Sequence, residues 1–222
     1  MLDPRHHKAV LDALRVIPLF SSVTELDLEV IASQLIERRY PRDTVVVEEG
    51  LSGDYMYVIR AGRVKVTKAS DDGREKIMAF LEAGDFFAEM SLLDQRPRSA
   101  TVRTLEAVQL LALSRVAFLD LLTRSPDLSL AVIRVLTQRL RDADEQASSM
   151  SFHRVDQRVK SLFQRIGRIQ EGEEGARLTP LLTHQQIADM VGTSRETVTR
   201  AIKQLKADGW LRQRGKRYLI PA

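Results

Sequence analysis

The stretch 125–151, SPDLSLAVIRVLTQRLRDADEQASSMS, constrains this chain more than any other. Ser125 offers an N-capping hydroxyl, Pro126 suits a first helical turn, and Asp127 stands where a helix dipole is positive. No Gly and no further Pro follows within it, so the stretch predicts one unbroken helix. Ile133, Leu136, Leu140, Ala143, Ala147 and Met150 recur at intervals of three, four, three, four and three. Such alternation keeps a narrow apolar seam aligned along a helix, the pattern of a coiled coil rather than a broad amphipathic face. Large residues come first and the seam narrows to Ala143 and Ala147, where a partner helix can approach closely. Packing within its own domain is the alternative; the spacing favours a dimer seam.

The chain has 222 residues, 44% of them hydrophobic, enough for one large or two ordinary domains with real cores. It contains no Cys, which excludes disulfides, cysteine-ligated zinc and cysteine-ligated iron–sulfur clusters. No apolar run reaches the roughly 18 residues of a membrane span, and MLDPRHHKAVLDAL is not a signal peptide. A soluble cytoplasmic protein with no membrane partner is expected. Charge is divided unevenly: residues 1–152 carry 20 Lys and Arg against 23 Asp and Glu, and residues 153–222 carry 14 against 7. A basic excess in one small region is an electrostatic footprint for nucleic acid, or else a solvated basic surface.

Before the long helix, residues 7–16 and 25–35 read as short amphipathic helices, the second preceded by Thr24. His6 and His7 are adjacent and so do not share a helix face, which argues against a metal site. From 36 to 113 the texture changes to short strand-like runs at 44–48, 55–60, 63–68, 75–81, 100–104 and 107–113, punctuated by Gly. Asp71-Asp72-Gly73 is a hairpin signal. Regular short strands imply an antiparallel barrel or sandwich. Ser114 then caps a helix through 122.

One interval breaks the strand pattern: GDFFAEMSLLDQRPRSA, residues 84–100. Residues 88–93 suit one short helical turn, whose first N–H groups are unpaired. Arg98 brings a planar donor fork and Ser99 a hydroxyl, both suited to a phosphate. Glu89 repels a phosphate but accepts from sugar hydroxyls, so the set suits a sugar phosphate. The competing reading is an Arg98–Glu89 surface pair beside a loop.

The basic end opens with a helix from 155 to about 170, carrying Val155, Val159, Leu162, Phe163 and Ile166 on one side. A polar loop at 171–175 and a short strand at 177–182 follow. In LLTHQQIADMVGTSRETVTRAIKQLKADGWL, Thr183 with Gln186 and Thr193 with Glu196 read as capping boxes. They open helices at 184–190 and 194–207, joined by a turn at Gly192: a helix-turn-helix. Val198, Ala201, Ile202 and Leu205 lie on one side of the second helix; Arg195, Glu196, Thr199, Arg200 and Lys203 lie on the other. Arg pairs bidentately with guanine and Glu accepts from cytosine. Residues 210–214 and 217–220 form a hairpin wing with cations at its turn.

Three runs carry a family resemblance: GDYMYVIRAGRVKV (53–66), FFAEMSLLDQRPRSATV (86–102) and GTSRETVTRAIKQL (192–205). The second resembles the phosphate-binding cassette of cyclic-nucleotide-binding domains, and the third a recognition helix. Together they resemble the cyclic AMP receptor protein/FNR family of bacterial transcription regulators. The resemblance implies an α+β chain with an N-terminal antiparallel β-roll (jelly-roll-like) sensor over 1–124, a long dimerisation helix over 125–151 and a winged helix-turn-helix over 152–222. Glu89 would bind a ribose 2′-hydroxyl and Arg98 a cyclic phosphate, with Ser99, Met90 and the backbone at Ala88 assisting; many relatives carry Gly at that last position. Arg139, Ala143 and Asp144 would meet the adenine edge. The best-known sensor has Thr-Ser at the last two positions; Asp144 can accept from an adenine amino group or stand as a solvated charge.

Carried over in the same way, Arg195, Glu196 and Arg200 would read bases in TGTGA-like half-sites, and Thr183, Gln185, Thr199 and Lys203 would hold phosphates. The implied partners are double-stranded DNA, a second copy of the chain, RNA polymerase and cyclic AMP as effector, with a hinge around 152–155. A haem would need a placed axial ligand, and His6, His7, His153 and His184 all lie outside the sensor core. No metal, haem or iron–sulfur cluster is therefore expected. The basic end holds no nucleophile–base–acid set, so no enzyme is expected. The alternative is a family member with a different effector or one active without ligand.

Overall fold

Strand β8 (Val108–Ser114) shows why the middle of the chain is so apolar. Val108 and Leu110 point to one buried cluster, Leu111 and Leu113 to another. A strand buried on both faces loses the polar half of its alternation. The same holds for β3 (Tyr55–Ala61): Met56 and Val58 face one cluster, Tyr57 and Ile59 the other. In β6 (Phe86–Phe87) the two rings divide between the clusters.

The computed structural model describes residues 4–21, 23–69, 75–152, 154–169 and 176–221. Its backbone falls into two units, Met1–Arg74 with Met78–Arg139, and Glu75–Ile77 with Leu140–Ala222. The first unit is built on antiparallel strands. β1 (Ile36–Tyr40), β8, β3 and β6 form one four-stranded sheet in the order β1-β8-β3-β6. β2 (Val45–Val47), β7 (Thr101–Thr104), β4 (Arg63–Ala69) and β5 (Glu75–Glu82) form the other, in the order β2-β7-β4-β5. Val47, Ile59, Val64, Phe87, Val102, Val108 and Leu110 make the apolar cluster shared by these sheets. On the outer face of the β8–β3 sheet lie α1 (Pro4–Arg15), α2 (Glu25–Gln34), α4 (Arg115–Arg124) and the start of α5 (Pro126–Phe152).

Caps set the helix starts. Thr24 accepts from the Asp27 amide, Ser114 from Ala117, and buried Ser125 from Leu128. Helix α5 is continuous over 27 residues, as its spacing predicts. Leu128 and Val132 are buried in the first unit's core, with Leu136 packed against it.

The second unit contains α6 (Val155–Ile166), α7 (His184–Val191) and α8 (Arg195–Ala207). Its sheet runs β11 (Arg212–Arg214), β12 (Arg217–Pro221), β10 (Ala176–Leu178), β9 (Arg168–Ile169). Val159, Leu162 and Phe163 of α6 are buried, as are Ile187, Ala188, Val198, Ile202 and Leu205. Phe163 stacks on Tyr218 with ring centroids 5.3 Å apart.

Several sequence expectations shift. The run 36–40 is a strand despite Glu37, Arg38 and Arg39, because its backbone pairs with β8 and Glu37 accepts from Arg60 at 2.6 Å. The short helix after β6 is α3 (Met90–Asp94), two residues later than its spacing suggests. Helix α6 stops at Ile166 rather than near 170, capped by Gly167 before β9. The cap of α8 is Ser194, which accepts from Thr197, not Thr193. The hairpin signal at 71–73 and the loop at 171–175 lie outside the described residues, as does His153 within the expected hinge.

Candidate functional site

The cassette is organised by a reversal of the backbone at Ala88, whose φ of 69° is left-handed. A residue with a Cβ pays about 1 kcal/mol there, which is why Gly is the easier occupant. The reversal leaves the Ala88 carbonyl facing Arg98. Arg98 Nη1 donates to that carbonyl at 2.5 Å and to Ser91 Oγ at 2.6 Å, while Nη2 donates to the Tyr55 carbonyl at 2.7 Å. The Arg98 backbone is itself pinned, its N–H donating to Leu51 O and its carbonyl accepting from Gly50.

Gly53 lies under this guanidinium: a Cβ there would come within 2.7 Å of Nε and closer still to Nη2. Arg98 is only 6% exposed, and burial lowers its pKa against the opposing pull of Tyr57, Asp54 and Glu89. Ser91 and Gly53 are participants that residue-type reasoning missed. Ser91 carries no signal beyond a helical spacing to Ala88, and Gly53 reads only as punctuation.

Glu89 is 2% exposed, not a surface group, and its partner is not Arg98. Arg139 Nη1 of α5 donates to Glu89 Oε1 at 3.0 Å, and its Nη2 donates to the Phe86 carbonyl at 2.5 Å. The guanidinium lies 4.7 Å from the Phe86 ring centroid, a cation–π contact. Burial raises the Glu89 carboxyl above its ordinary range, with Arg139 and then Arg98 pulling it back. Asp85 is raised by burial as well, again opposed by Arg139. Ser99 is exposed and its hydroxyl lies 3.8 Å from Met90 Sδ; Met90 is half exposed. The arrangement offers a buried cation, a buried acceptor and exposed hydroxyl and thioether groups around one turn. That is the donor–acceptor division a sugar phosphate requires.

Further along α5, Ala143 and Asp144 are exposed. Of the seam residues, Ile133 is 56% exposed and Leu140 62%, and Ala147 is exposed. Leu136 turns partly into its own domain core, while Leu130, absent from the expected seam, is 49% exposed. Met150 lies within the helix; its side chain is outside the described set.

In the second unit, α7 ends at Gly192, which at φ 68° makes the left-handed C-cap that lets α8 turn away. Thr183 and Gln186 form the expected capping box. Arg195, Glu196, Thr199, Arg200 and Lys203 are all exposed on α8, opposite buried Val198, Ile202 and Leu205. Glu196 sits in the first turn, its pKa lowered by its own backbone N–H and then the Ser194 hydroxyl. Gln185 donates to Asp189 at 2.7 Å. The Thr199 hydroxyl is engaged within the protein, with Arg195 O and His184. Arg212, Arg214, Lys216 and Arg217 are exposed on the β11–β12 wing.

No group of three His, Cys, Asp or Glu suited to a metal occurs among the described residues, and no described helix is long and apolar enough to cross a membrane.

Comparison with known proteins agrees with this geometry. A cyclic nucleotide-binding domain matches residues 37–125, and a Crp-like helix-turn-helix domain matches residues 157–222. The chain is 35% identical over 204 residues to the CRP-like cAMP-activated global transcriptional regulator of Mycobacterium tuberculosis, covering 91% of each chain. It is 32% identical to the cyclic AMP receptor protein of Thermus thermophilus, covering 88% of each. Among solved structures, the c-di-GMP responsive global regulator CLP of Xanthomonas campestris aligns with TM-score 0.73 at 27% identity, over 90% of this chain and all of that one. The Thermus thermophilus catabolite activator protein aligns with TM-score 0.57 at 30% identity, over 91% and 93% of the two chains. These relatives are regulators, not enzymes. A buried phosphate-type cassette in an antiparallel β unit, a long helix and a winged helix-turn-helix occur here in one chain, which belongs to the cyclic AMP receptor protein/FNR family of transcription regulators.

Proposed function

We propose that this chain is a homodimeric, sequence-specific DNA-binding regulator whose operator affinity is set by cyclic AMP at the 86–99 cassette. One observation carries the reading: Arg98 and Glu89, of opposite charge, are both buried around the left-handed turn at Ala88 yet take different partners. A cyclic phosphate would meet Arg98 and the Ser99 hydroxyl, and the ribose hydroxyl would donate to Glu89. Arg139 holds Glu89 from α5, so any ligand that recruits this carboxylate acts on a residue of the long helix. The exposed apolar stripe on that helix, with Ile133 and Leu140, supports pairing with a second copy. Differential binding of ligand to two arrangements of the paired helices is what control would require.

The names of the Mycobacterium and Thermus relatives favour cyclic AMP. The resemblance assigns Ala143 and Asp144 to the base edge. On the DNA side, Arg195, Glu196 and Arg200 would read TGTGA-like half-sites in inverted repeat, about 34 Å apart across the dimer. Thr183, Gln185 and Lys203 would contact phosphates, and Thr199 only by releasing its hydroxyl from the Arg195 carbonyl. RNA polymerase would be the protein partner, in the cytoplasm. A second reading, a cyclic dinucleotide effector, is favoured by the c-di-GMP responsiveness of the Xanthomonas regulator and by the absence of a hydroxyl pair at 143–144.

Calorimetry with cyclic AMP, cyclic GMP and cyclic di-GMP, followed by operator binding with and without each, tests both readings. Saturable cyclic AMP binding that tightens operator affinity supports the first. Binding of cyclic di-GMP alone supports the second. Operator affinity unchanged by every nucleotide removes ligand control.

A further inference from the structure

His184, the first residue of α7, is hydrogen-bonded on both ring nitrogens to two other elements. Nδ1 lies 2.9 Å from Thr199 Oγ1 on α8, and Nε2 lies 2.9 Å from Tyr218 Oη on β12. Counting protons orients the chain. The Thr199 hydroxyl donates to the Arg195 carbonyl at 2.9 Å, so its single proton is committed. Its oxygen must then accept from the imidazole, which places the proton on Nδ1. Nε2 is left bare and accepts from the Tyr218 hydroxyl. The result is one directional path: Tyr218 Oη–H to Nε2, Nδ1–H to Thr199 Oγ1, Oγ1–H to Arg195 O.

The path is anchored at both ends. Tyr218 is 7% exposed and its ring stacks on Phe163 of α6. Arg195 opens α8 and carries an exposed side chain on the face assigned to bases. The charged groups acting on His184 are Arg195 and Lys206, both cations of α8, and Lys206 Nζ also lies 5.6 Å from the Tyr218 ring. With partial burial first and these cations second, the ring is held neutral, its pKa below the ordinary value. A neutral ring is what a donor–acceptor bridge needs, since a protonated one has two donors and no acceptor.

We propose that His184 is a positioning residue for DNA reading: as the neutral Nδ1–H tautomer it ties the first turns of α8 to the wing strand β12. Recognition-helix side chains and wing cations are thereby kept in one register. The proposal rests on α8 being the DNA-reading helix.

The test uses the full-length chain labelled with ¹⁵N, with His184→Asn assigning the imidazole signals. The Nδ1–H tautomer is expected near pH 7; an Nε2–H tautomer or a charged ring overturns the proposal. Binding is measured on the best duplex that the protein selects from a random pool, and on its scramble. His184→Ala and Tyr218→Phe are each expected to weaken the selected duplex about 3–10-fold and to leave the scramble unchanged. The double variant should be no weaker than the single ones, because both break one path. His184→Asn, which keeps a donor toward Thr199, should recover part of the loss. Additive losses, or equal losses on both duplexes, overturn the proposal. Tyr218→Phe keeps the ring stack and serves alone if His184→Ala fails to fold; its His184 should keep the Nδ1–H tautomer that Thr199 enforces, while the bare Nε2 signal shifts on losing its donor. A wild-type chain that selects no sequence refutes the reading of α8 instead, and the tautomer still judges the bridge.

Discussion

Arg139 of the long helix donates to the buried Glu89 carboxylate at 3.0 Å, across 50 residues of sequence. Its second nitrogen donates to the Phe86 carbonyl, and its guanidinium carbon lies over the Phe86 ring. The group that would take a ribose hydroxyl is therefore already tied to α5.

Glu89→Gln separates the electrostatic from the binding role. The folded-state pKa of Glu89 lies above its ordinary 4.5, because burial outweighs Arg139 and Arg98. A carboxyl with a raised folded pKa contributes stability below the unfolded value and loses it as pH rises through the folded value. Ionised Glu89 thus destabilises the ligand-free chain at pH 8. The Gln variant is expected to unfold at a higher temperature there, with the gain shrinking as pH falls toward 5. For a chain of this size about 1 kcal/mol corresponds to roughly 2–4 °C. Thermal scans across pH check it; nucleotide affinity should fall in the same variant.

Arg98→Lys and Arg98→Ala test the cation. Lysine is a point charge that cannot reproduce the three hydrogen bonds from the fork. Alanine leaves the Ala88 and Tyr55 carbonyls without that donor, at about 1–3 kcal/mol for each buried group left unpaired. Both are expected to lower nucleotide affinity at least tenfold by calorimetry, with alanine also lowering the thermal midpoint.

Gly53→Ala reaches the site without removing a polar group. The new Cβ would overlap the guanidinium, which must then shift against its bonds to the Ala88 and Tyr55 carbonyls and to Ser91. Weaker nucleotide binding with near-normal stability is expected. Unchanged affinity by calorimetry would show that Arg98 can shift and still function.

At Ala88 the left-handed backbone makes the direction of change specific. Ala88→Gly should stabilise the chain by about 0.5–1 kcal/mol, and Ala88→Val should destabilise it, because a branched Cβ is worst placed at positive φ. Denaturant midpoints measure both.

One residue beyond Arg139 on α5, Leu140→Glu tests pairing. Leu140 is 62% exposed in the single chain, so a charge there does little to its own fold. Sedimentation equilibrium is expected to give a dimer for the wild type and a monomer for the variant.

Local signals were legible because they act over three or four residues. The caps at Ser114, Ser125 and Thr183, the turn at Gly192 and the uninterrupted length of α5 follow from nearest-neighbour hydrogen bonding and spacing. Where two hydroxyls compete, as at Thr193 and Ser194, spacing alone left the cap one residue off. Strand β1 was hidden by its charges, because it is held by pairing with a strand far along the chain. The two-residue β6 is too short for any periodicity to show.

In the candidate site the division is sharper. By itself the sequence determined the residue types, a cation, an acceptor and a hydroxyl within one short irregular run, and the polar, mostly basic face of α8. Only the tertiary structure decided that Glu89 and Arg98 are buried apart, that Arg139 rather than Arg98 takes the carboxylate, and that Gly53 and Ser91 shape the Arg98 pocket. It also decided that Leu136 faces its own core while Leu130 stays exposed. The reason is physical: helix and turn hydrogen bonds join near neighbours and leave a spacing in the sequence. The partner of a buried charge is whichever group the packed fold brings within reach, and that distance has no counterpart along the chain.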